Sequence, residues 1–309
     1  MPAVLLEGKN LVIERPQRIS GTLVGAVLAA LALSLCIALV IRAASWPISW
    51  TSFLAYLGAV LLFLLATLFG FWAYACHSLV YLIDRYGLLI NWGPIQHFIP
   101  INRIEKLTLG RGEQRPRVSG LSWWGYHIGR GTVQGLGEVL FFSTHRSPEE
   151  LIYLQTATAT YGLSPRDPAR FSLQLQRFQE AGRPRFREAV HRHPLAAHAA
   201  WSDRIAQGLA LVALLLNVGL FGYLFAIYPD LSNQITIELP PIGAITTLES
   251  KREILKIPAT ALAILGGNFV AAILAFYWRE RAAAYLLLSG TIFLQLLFWM
   301  AAAIAVTNV

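Results

Sequence analysis

The sequence contains little charge and very little cysteine. Of its 309 residues, 14% are charged and only two are cysteines, whereas hydrophobic residues make up 56%. Soluble globular chains carry about 25% charged and about 45–50% apolar residues. Two cysteines exclude a disulfide-rich secreted scaffold, and low charge combined with high hydrophobicity excludes intrinsic disorder. Much of the chain is therefore expected to face lipid.

Long uncharged runs predict five transmembrane helices. A helix that crosses about 30 Å of hydrocarbon needs about 20 mostly apolar residues. Five segments of at least this length contain no Asp, Glu, Lys or Arg: residues 20–41, 53–76, 206–228, 258–278 and 283–305. The first segment is too long for a signal peptide and is interpreted as a retained helix. We therefore predict an α-helical integral membrane protein.

The distribution of Lys and Arg predicts the orientation of these helices. Cytoplasmic segments are richer in Lys and Arg than segments on the opposite side. The N-terminal arm, the stretch 81–204 and the WRER link after the fourth helix carry such an excess, whereas the loop 43–52 carries no charge. This assignment is opposed by three basic residues in the stretch 229–257: Lys251, Arg252 and Lys256. We predict a multi-pass membrane protein with its N-terminus inside, in the cytoplasm, and its C-terminus outside.

Between the second and third predicted helices, the pattern changes to short strand-like runs. The runs VYLIDR, LLINW and IQHFIPI are separated by Gly and Pro turn residues, a pattern typical of an antiparallel sandwich or barrel. The segment SPRDPARFSLQLQRFQEAG that follows predicts a helix. Phe171, Leu175 and Phe178 would share one apolar face of this helix and cover the sheet.

Strands followed by one closing helix form the layout of pleckstrin-homology (PH) domains. The segments YLIDRYGLLINWG, HFIPINRIEKL, GLSWWGYHIGRG, GLGEVLFFST and YGLSPRDPARFSLQL resemble the bacterial PH-like domains found on membrane proteins. The resemblance covers roughly residues 78–180. It implies an inserted cytoplasmic β-sandwich or barrel of PH type closed by one C-terminal helix, in a protein of the bacterial cytoplasmic (plasma) membrane, and it carries no catalytic motif.

A second, fainter resemblance covers the segment YPDLSNQITIELPPIGAITTLESKREILKIP. It is similar to a bacterial module that also occurs in membrane immunity and signalling proteins of the sporulation-delaying-toxin type. That module usually has a His-Phe pair where this chain has Glu238 and Leu239, whereas Gly243 matches its glycine-containing turn. The resemblance implies a toxin-immunity or signalling role for the last three helices.

These patterns divide the chain into five predicted regions. They are an N-terminal arm (1–19), a transmembrane hairpin (20–77), a PH-like β domain (78–181), a basic juxtamembrane linker (182–205) and a three-helix transmembrane domain (206–309) with an outer loop (229–257).

Amides are the conspicuous polar side chains inside the predicted helices: Asn217, Asn268 and Gln295. We favour interhelical hydrogen bonding, worth about 0.6–2 kcal/mol per contact, which would fix the packing of these helices. A substrate-binding cluster is the other interpretation. The five segments contain no Asp, Glu, Lys or Arg, the costly groups that mark ion pathways, so an ion-coupled transporter is not expected.

Two further clusters suggest surfaces. The linker carries Arg183, Arg185, Arg187 and Arg192, which would contact anionic lipid at about 1 kcal/mol per residue; simple topogenic charge is the alternative, and both can hold. Within the β domain, the aromatic cluster comprises Trp123, Trp124 and Tyr126. Aromatic side chains can stack on nucleic-acid bases, but the domain is tethered to a membrane and its charge is dispersed. We predict a protein-partner surface and no nucleic acid.

The sequence contains no recognisable catalytic motif, neither GxSxG nor HExxH nor an acidic pair within a predicted helix. We therefore expect no enzymatic activity, cofactor or metal. The leading hypothesis is a membrane-anchored scaffold, sensor or accessory subunit whose PH-like domain docks a membrane or cytoplasmic protein at the inner face. A transporter or toxin-immunity protein that uses the last three helices is the alternative, and a membrane-bound enzyme is third.

Overall fold

The computed structural model describes residues 11–110, 117–123, 125–144, 147–181, 189–192, 199–232, 234–239 and 245–307. These residues form two compact units. The first unit is drawn from Met1–Ser34 and Phe63–Ala196, and the second from Leu35–Leu62 and Ala197–Val309.

Five of the described helices are long and apolar enough to cross a membrane, which confirms that part of the predicted fold. They are α1 (Ile19–Ala44), α2 (Trp50–Ser78), α4 (Arg204–Ile227), α5 (Lys256–Tyr277) and α6 (Arg281–Thr307), and the short α3 (Pro168–Ala181) lies between the second and third of them. By length and composition this is a multi-pass membrane protein.

The first unit contains two β-sheets. The strands are β1 (Val12–Glu14), β2 (Val80–Ile83), β3 (Gly87–Trp92), β4 (Ile95–Pro100), β5 (Ile104–Leu109), β6 (Arg117–Trp123), β7 (Tyr126–Val133), β8 (Gly137–Ser143), β9 (Ile152–Thr156), β10 (Thr160–Leu163) and β11 (Ala189–Arg192). One sheet has the order β1-β2-β3-β4-β11, and the other has the order β5-β9-β10-β8-β7-β6. Two layers of this kind match the predicted PH-like architecture.

One strand pair departs from the predicted antiparallel arrangement, because β10 runs parallel to β8. The chain leaves β8, passes through β9, and returns as β10 between the two. Since β10 is parallel to β8 and forms an antiparallel pair with β9, β9 runs in the direction opposite to β8. The remaining pairs of this sheet are antiparallel.

The two sheets and α3 enclose one hydrophobic core. Phe171 and Leu175 of α3 are 1% and 0% exposed and lie in the same buried cluster as Ile90 and Leu154, with Phe178 packed against it. The predicted apolar face of α3 is therefore confirmed. Asp167 accepts a hydrogen bond from the backbone N–H of Arg170 (3.0 Å) in the first turn of this helix, as an N-cap residue does.

In the second unit, α4, α5 and α6 form a helical bundle. Asp203 caps α4 by accepting hydrogen bonds from the backbone N–H groups of Ile205 (3.1 Å) and Ala206 (3.0 Å). The predicted outer loop contains a two-stranded antiparallel hairpin, β12 (Gln234–Leu239) and β13 (Ile245–Ser250). These two strands were not predicted from the sequence.

Candidate functional sites

The predicted aromatic surface maps to the tip of the hairpin formed by β6 and β7. Trp123 and Tyr126 are paired backbone positions at the end of this hairpin, and Gly125 occupies the turn with φ +72°. Trp124 and the side chains of its two aromatic neighbours lie outside the described residues. A positive φ favours glycine, so the backbone of the turn itself requires Gly125.

This hairpin tip contacts the ends of two membrane-capable helices. A Cβ atom added to Gly21 of α1 would lie 2.6 Å from the carbonyl oxygen of Gly125 and 2.8 Å from Cys76 Sγ of α2. The Cys76 thiol in turn points to the carbonyl oxygens of Arg18 (3.5 Å) and Gly125 (3.6 Å). The aromatic backbone positions therefore lie beside helix ends, where aromatic residues are enriched in membrane proteins.

The end of α2 is also part of the β domain. Ser78 Oγ accepts a hydrogen bond from the backbone N–H of Gly93 (2.6 Å), in the turn between β3 and β4. Cys76 is 1% exposed and belongs to the same hydrophobic core as Tyr81 and Phe142. We call the contact region formed by Arg18–Gly21, Cys76–Ser78, Gly93 and Gly125 the membrane junction. At the membrane junction the β domain is packed against both α1 and α2.

Among the described strands, β6 is the longest one at the edge of a sheet. It pairs with β7 over seven residues without a register shift. At the opposite edge of the same sheet, β5 has a register irregularity between Ile104 and Lys106, and Gln179 of α3 donates to the carbonyl of Ile104 (3.1 Å). The edge strands of the other sheet, β1 and β11, have only three and four residues. An exposed, regular edge is a template for pairing with another chain.

The charge of the edge strands differs as well. β6 has the sequence RVSGLSW, in which Arg117 is the one charged residue. β5 carries Glu105 and Lys106, both exposed. Charged side chains and bulges are the usual means by which proteins protect sheet edges. β6 therefore has less protection against strand addition than β5.

A buried tyrosine joins the two sheets. The hydroxyl of Tyr81, in β2, donates to the carbonyl of Phe142 in β8 (2.5 Å) and accepts from the backbone N–H of Ser164 (3.2 Å). Burial raises the pKa of Tyr81 to about 12, so the hydroxyl stays protonated. This link is not evident from the sequence, because a tyrosine in a strand does not reveal which strand its hydroxyl contacts.

A buried carboxylate lies in the turn after β2. Asp84 is 1% exposed, and its Oδ1 accepts from the backbone N–H groups of Tyr86 (2.7 Å) and Gly87 (3.0 Å). Among the described residues, its Oδ2 has no hydrogen-bond partner. Burial raises the pKa of Asp84 above its ordinary value. We assign this residue to turn formation, since Asp side chains commonly bond the backbone two residues ahead.

Two of the three predicted amides contact each other within the second unit. Asn217 Nδ2 donates to Gln295 Oε1 (3.2 Å) and to the carbonyl of Pro258 (3.2 Å). Gln295 Nε2 donates to the carbonyl of Ala261 (2.9 Å). Asn217 and Gln295 are 1% and 0% exposed. These bonds join α4, α5 and α6.

The third amide forms a separate contact. Asn268 Nδ2 donates to Thr291 Oγ1 (3.0 Å), and the Thr291 hydroxyl donates to the carbonyl of Leu287 (2.7 Å). Asn268 thus joins α5 to α6. The Asn217–Gln295 pair and the Asn268–Thr291 pair are two distinct polar contacts.

The predicted basic linker is only partly described. Arg183, Arg185 and Arg187 lie outside the described residues. Arg192 is the last residue of β11, where its backbone position is paired with Ile95 of β4. Part of the segment interpreted as a linker is therefore a strand of the five-stranded sheet.

Comparison with known protein families identifies the middle of the chain. The family described as "Bacterial PH domain" matches residues 79–179, about a third of the sequence. Among curated proteins and solved structures, nothing matches the chain. The match confirms the resemblance seen in the strand and helix segments. Residues 79–179 are thus a bacterial PH domain, carried by a chain with five helices able to span a membrane.

Proposed function

We propose that this protein is a non-enzymatic, membrane-anchored scaffold or accessory subunit whose PH domain binds a partner protein at the inner face of the bacterial cytoplasmic membrane. The observation that carries the proposal is the long, weakly protected edge strand β6, which ends at the membrane junction. A partner would add an extended segment to this edge, as in other complexes formed by strand addition.

The membrane junction supports the scaffold role. Because α1 and α2 both contact the domain through Gly21, Cys76 and Ser78, it stays near the membrane without having to bind a lipid head group. Its surface is then available for a protein. The excess of Lys and Arg in the N-terminal arm and in the middle of the chain supports placing this surface on the cytoplasmic side.

The buried amides support a structural role for the last three helices over transport. Asn217 and Gln295 use their N–H groups in bonds between helices, and both side chains are buried. Under the alternative of a transporter or toxin-immunity protein, these amides would have to be available to a substrate. The observed contacts favour helix packing.

The test is a pull-down of the tagged, full-length protein from its native membrane in mild detergent. Ser119 lies in the middle of β6, and S119K places a lysine on the edge strand, which disfavours strand pairing. The matched control is T132K, at an exposed position of the neighbouring inner strand β7. We expect native protein and T132K to retain a stoichiometric protein partner and S119K to lose most of it.

The proposal is wrong if S119K and T132K retain the same proteins in the same amounts, or if the native protein is recovered with lipid alone. Point substitutions are preferable to deletion of residues 110–135. That deletion would remove β7, an inner strand that pairs with both β6 and β8, and would unfold the sheet.

A further inference from the structure

An apolar groove runs between α4 and α5 in the second unit, with α6 as its floor. It consists of two open cavities of about 210 and about 230 Å³. Ala210, Phe269 and Leu288 line both cavities, so the two are adjacent. Gln207 and Thr291 are the polar side chains of the lining, and the other lining residues are apolar. In a membrane, an apolar groove open on one side would be filled by an apolar chain.

The length of the groove indicates which kind of apolar chain fills it. On α5 it extends from Leu265 to Phe276, which corresponds to about 17 Å along the helix. One leaflet contributes about 15 Å of hydrocarbon. The groove covers only the halves of the helices that contain the start of α4 and the end of α5. A transmembrane helix of a partner would span about 30 Å of hydrocarbon, about twice the length of the groove, whereas a lipid tail spans one leaflet.

The charges at the mouth of the groove indicate the head group. Arg204 precedes Gln207 and Leu211 by three and seven residues, so it lies on the same face of α4 as these lining residues. Arg204 is exposed and, within the described parts of the chain, forms no ion pair. Trp201, 58% exposed, lines the same end, where aromatic side chains meet lipid head groups.

Two acidic residues lie at the end of the bundle that contains Arg204: one is already hydrogen-bonded and the other is exposed. Asp203 caps α4 and accepts a 2.6 Å hydrogen bond from the Tyr285 hydroxyl, and this bond lowers the pKa of Asp203, with a smaller contribution from the charge of Arg281. Glu280 is exposed and lies between Arg279 and Arg281 in sequence. Arg204 is the cation that shares a face of α4 with the lining residues, and the exposed Arg279 and Arg281 add positive charge at the same end.

We propose that the groove binds one acyl chain of an anionic glycerophospholipid, with the lipid phosphate at Arg204. In the orientation proposed above, this lipid belongs to the inner leaflet. The inner leaflet is rich in anionic lipids that attract basic residues. The site is independent of the partner that we propose for the PH domain.

The test uses native mass spectrometry of the full-length, delipidated protein titrated with phosphatidylglycerol or with phosphatidylethanolamine of the same acyl chains. We expect one tightly bound phosphatidylglycerol. A210L fills the part of the groove that both cavities share and should weaken binding of both lipids about tenfold. R204Q should weaken binding of phosphatidylglycerol alone, about fivefold.

Two matched controls are available in the same unit. A226L makes the same substitution at an exposed position of α4 outside the groove, and R252Q removes an exposed arginine before α5; both should bind lipid like the native protein. Because Arg204 is exposed, R204Q remains decisive if A210L fails to fold. Equal affinity of native protein and R204Q for phosphatidylglycerol would overturn the proposal, as would equal affinity of native protein and a folded A210L for both lipids.

Discussion

At the scale of single residues, the PH domain depends on buried polar side chains that join distant segments. Tyr81 is the clearest case, since one hydroxyl connects β2 to β8 and to the residue that follows β10. A buried carbonyl or N–H that loses its partner costs about 1–3 kcal/mol. Links of this kind fix the position of one sheet relative to the other.

We therefore predict that Y81F destabilises the PH domain by about 1–3 kcal/mol, because the carbonyl of Phe142 and the N–H of Ser164 lose their shared partner. Thermal and denaturant unfolding of the detergent-solubilised protein would measure this change. Y86F is the control, since the Tyr86 hydroxyl accepts from the exposed Arg85 side chain. Equal stability of Y81F and Y86F would contradict the assigned role.

The raised pKa of Asp84 predicts that the stability of the PH domain depends on pH. Burial raises its folded-state pKa, so the folded state binds this proton more tightly than the unfolded state, where the pKa is about 3.9. Its contribution is therefore most favourable at low pH and is lost as the pH rises from the unfolded pKa through the folded pKa. Once the carboxylate is ionised, its buried Oδ2, which has no hydrogen-bond partner among the described residues, lowers stability.

D84N keeps the Oδ1 acceptor for Tyr86 and Gly87 and removes the charge. We expect D84N to unfold at a higher temperature than the native protein at pH 7, with the difference shrinking as the pH falls through the folded-state pKa toward about 4. Thermal unfolding across this range would test it. A native protein that is more stable than D84N at pH 7, with a gap that narrows on acidification, would show that the carboxylate has an unrecognised cationic partner.

At the scale of secondary-structure elements, the transmembrane bundle combines small residues with a few polar contacts. Without a strong hydrophobic force between helices in lipid, packing and hydrogen bonds determine which helices associate. The Asn217–Gln295 contact joins α4 to α6 and also reaches the backbone of α5. We infer that this contact fixes the arrangement of the three helices.

A double-mutant cycle tests that inference. N217L and Q295L should each lower stability by about 0.6–2 kcal/mol, and the double variant should lose less than the sum, because the two side chains share one bond. N268L combined with Q295L is the control and should be additive, since Asn268 bonds Thr291. Unfolding in mixed micelles measures each variant. A coupling energy near zero for the Asn217–Gln295 pair would contradict the inference.

The membrane-capable helices and α3 could be predicted from the sequence because their signals are local. An uncharged run of about 20 apolar residues, or Phe171, Leu175 and Phe178 on one face, needs no knowledge of distant segments. The strands β1 and β11 were not predicted, since three or four residues carry too little alternation. The insertion of β10 between β8 and β9 depends on pairings between distant residues, which spacing along the chain does not encode.

The candidate sites divide in the same way, into features that the local sequence reveals and features that depend on contacts between distant residues. The amides were found because a polar side chain in an apolar run is conspicuous, but their separation into two pairs required the helix positions. The aromatic cluster was found as a motif, whereas its backbone position at the membrane junction depends on Gly21 and Gly125 meeting across more than 100 residues of sequence. That β6 lies at the edge of its sheet could not be predicted from the sequence, because it follows only from the strand order.

At the scale of the whole molecule, the chain is a PH domain inserted between two membrane-capable helices and three more. The domain is joined to the first two helices by the membrane junction, and the last three helices form a bundle of their own with the apolar groove. This division suggests separate tasks, partner binding for the PH domain and lipid contact for the bundle.

The central claim is that a partner protein pairs with β6. The most direct measurement is photo-crosslinking in intact cells, with a photoreactive residue introduced at Ser119 of β6 or, as the control, at Thr132 of β7. We expect an adduct with one protein from position 119 and much less from position 132. No protein adduct from position 119, or equal adducts from both positions, would contradict it.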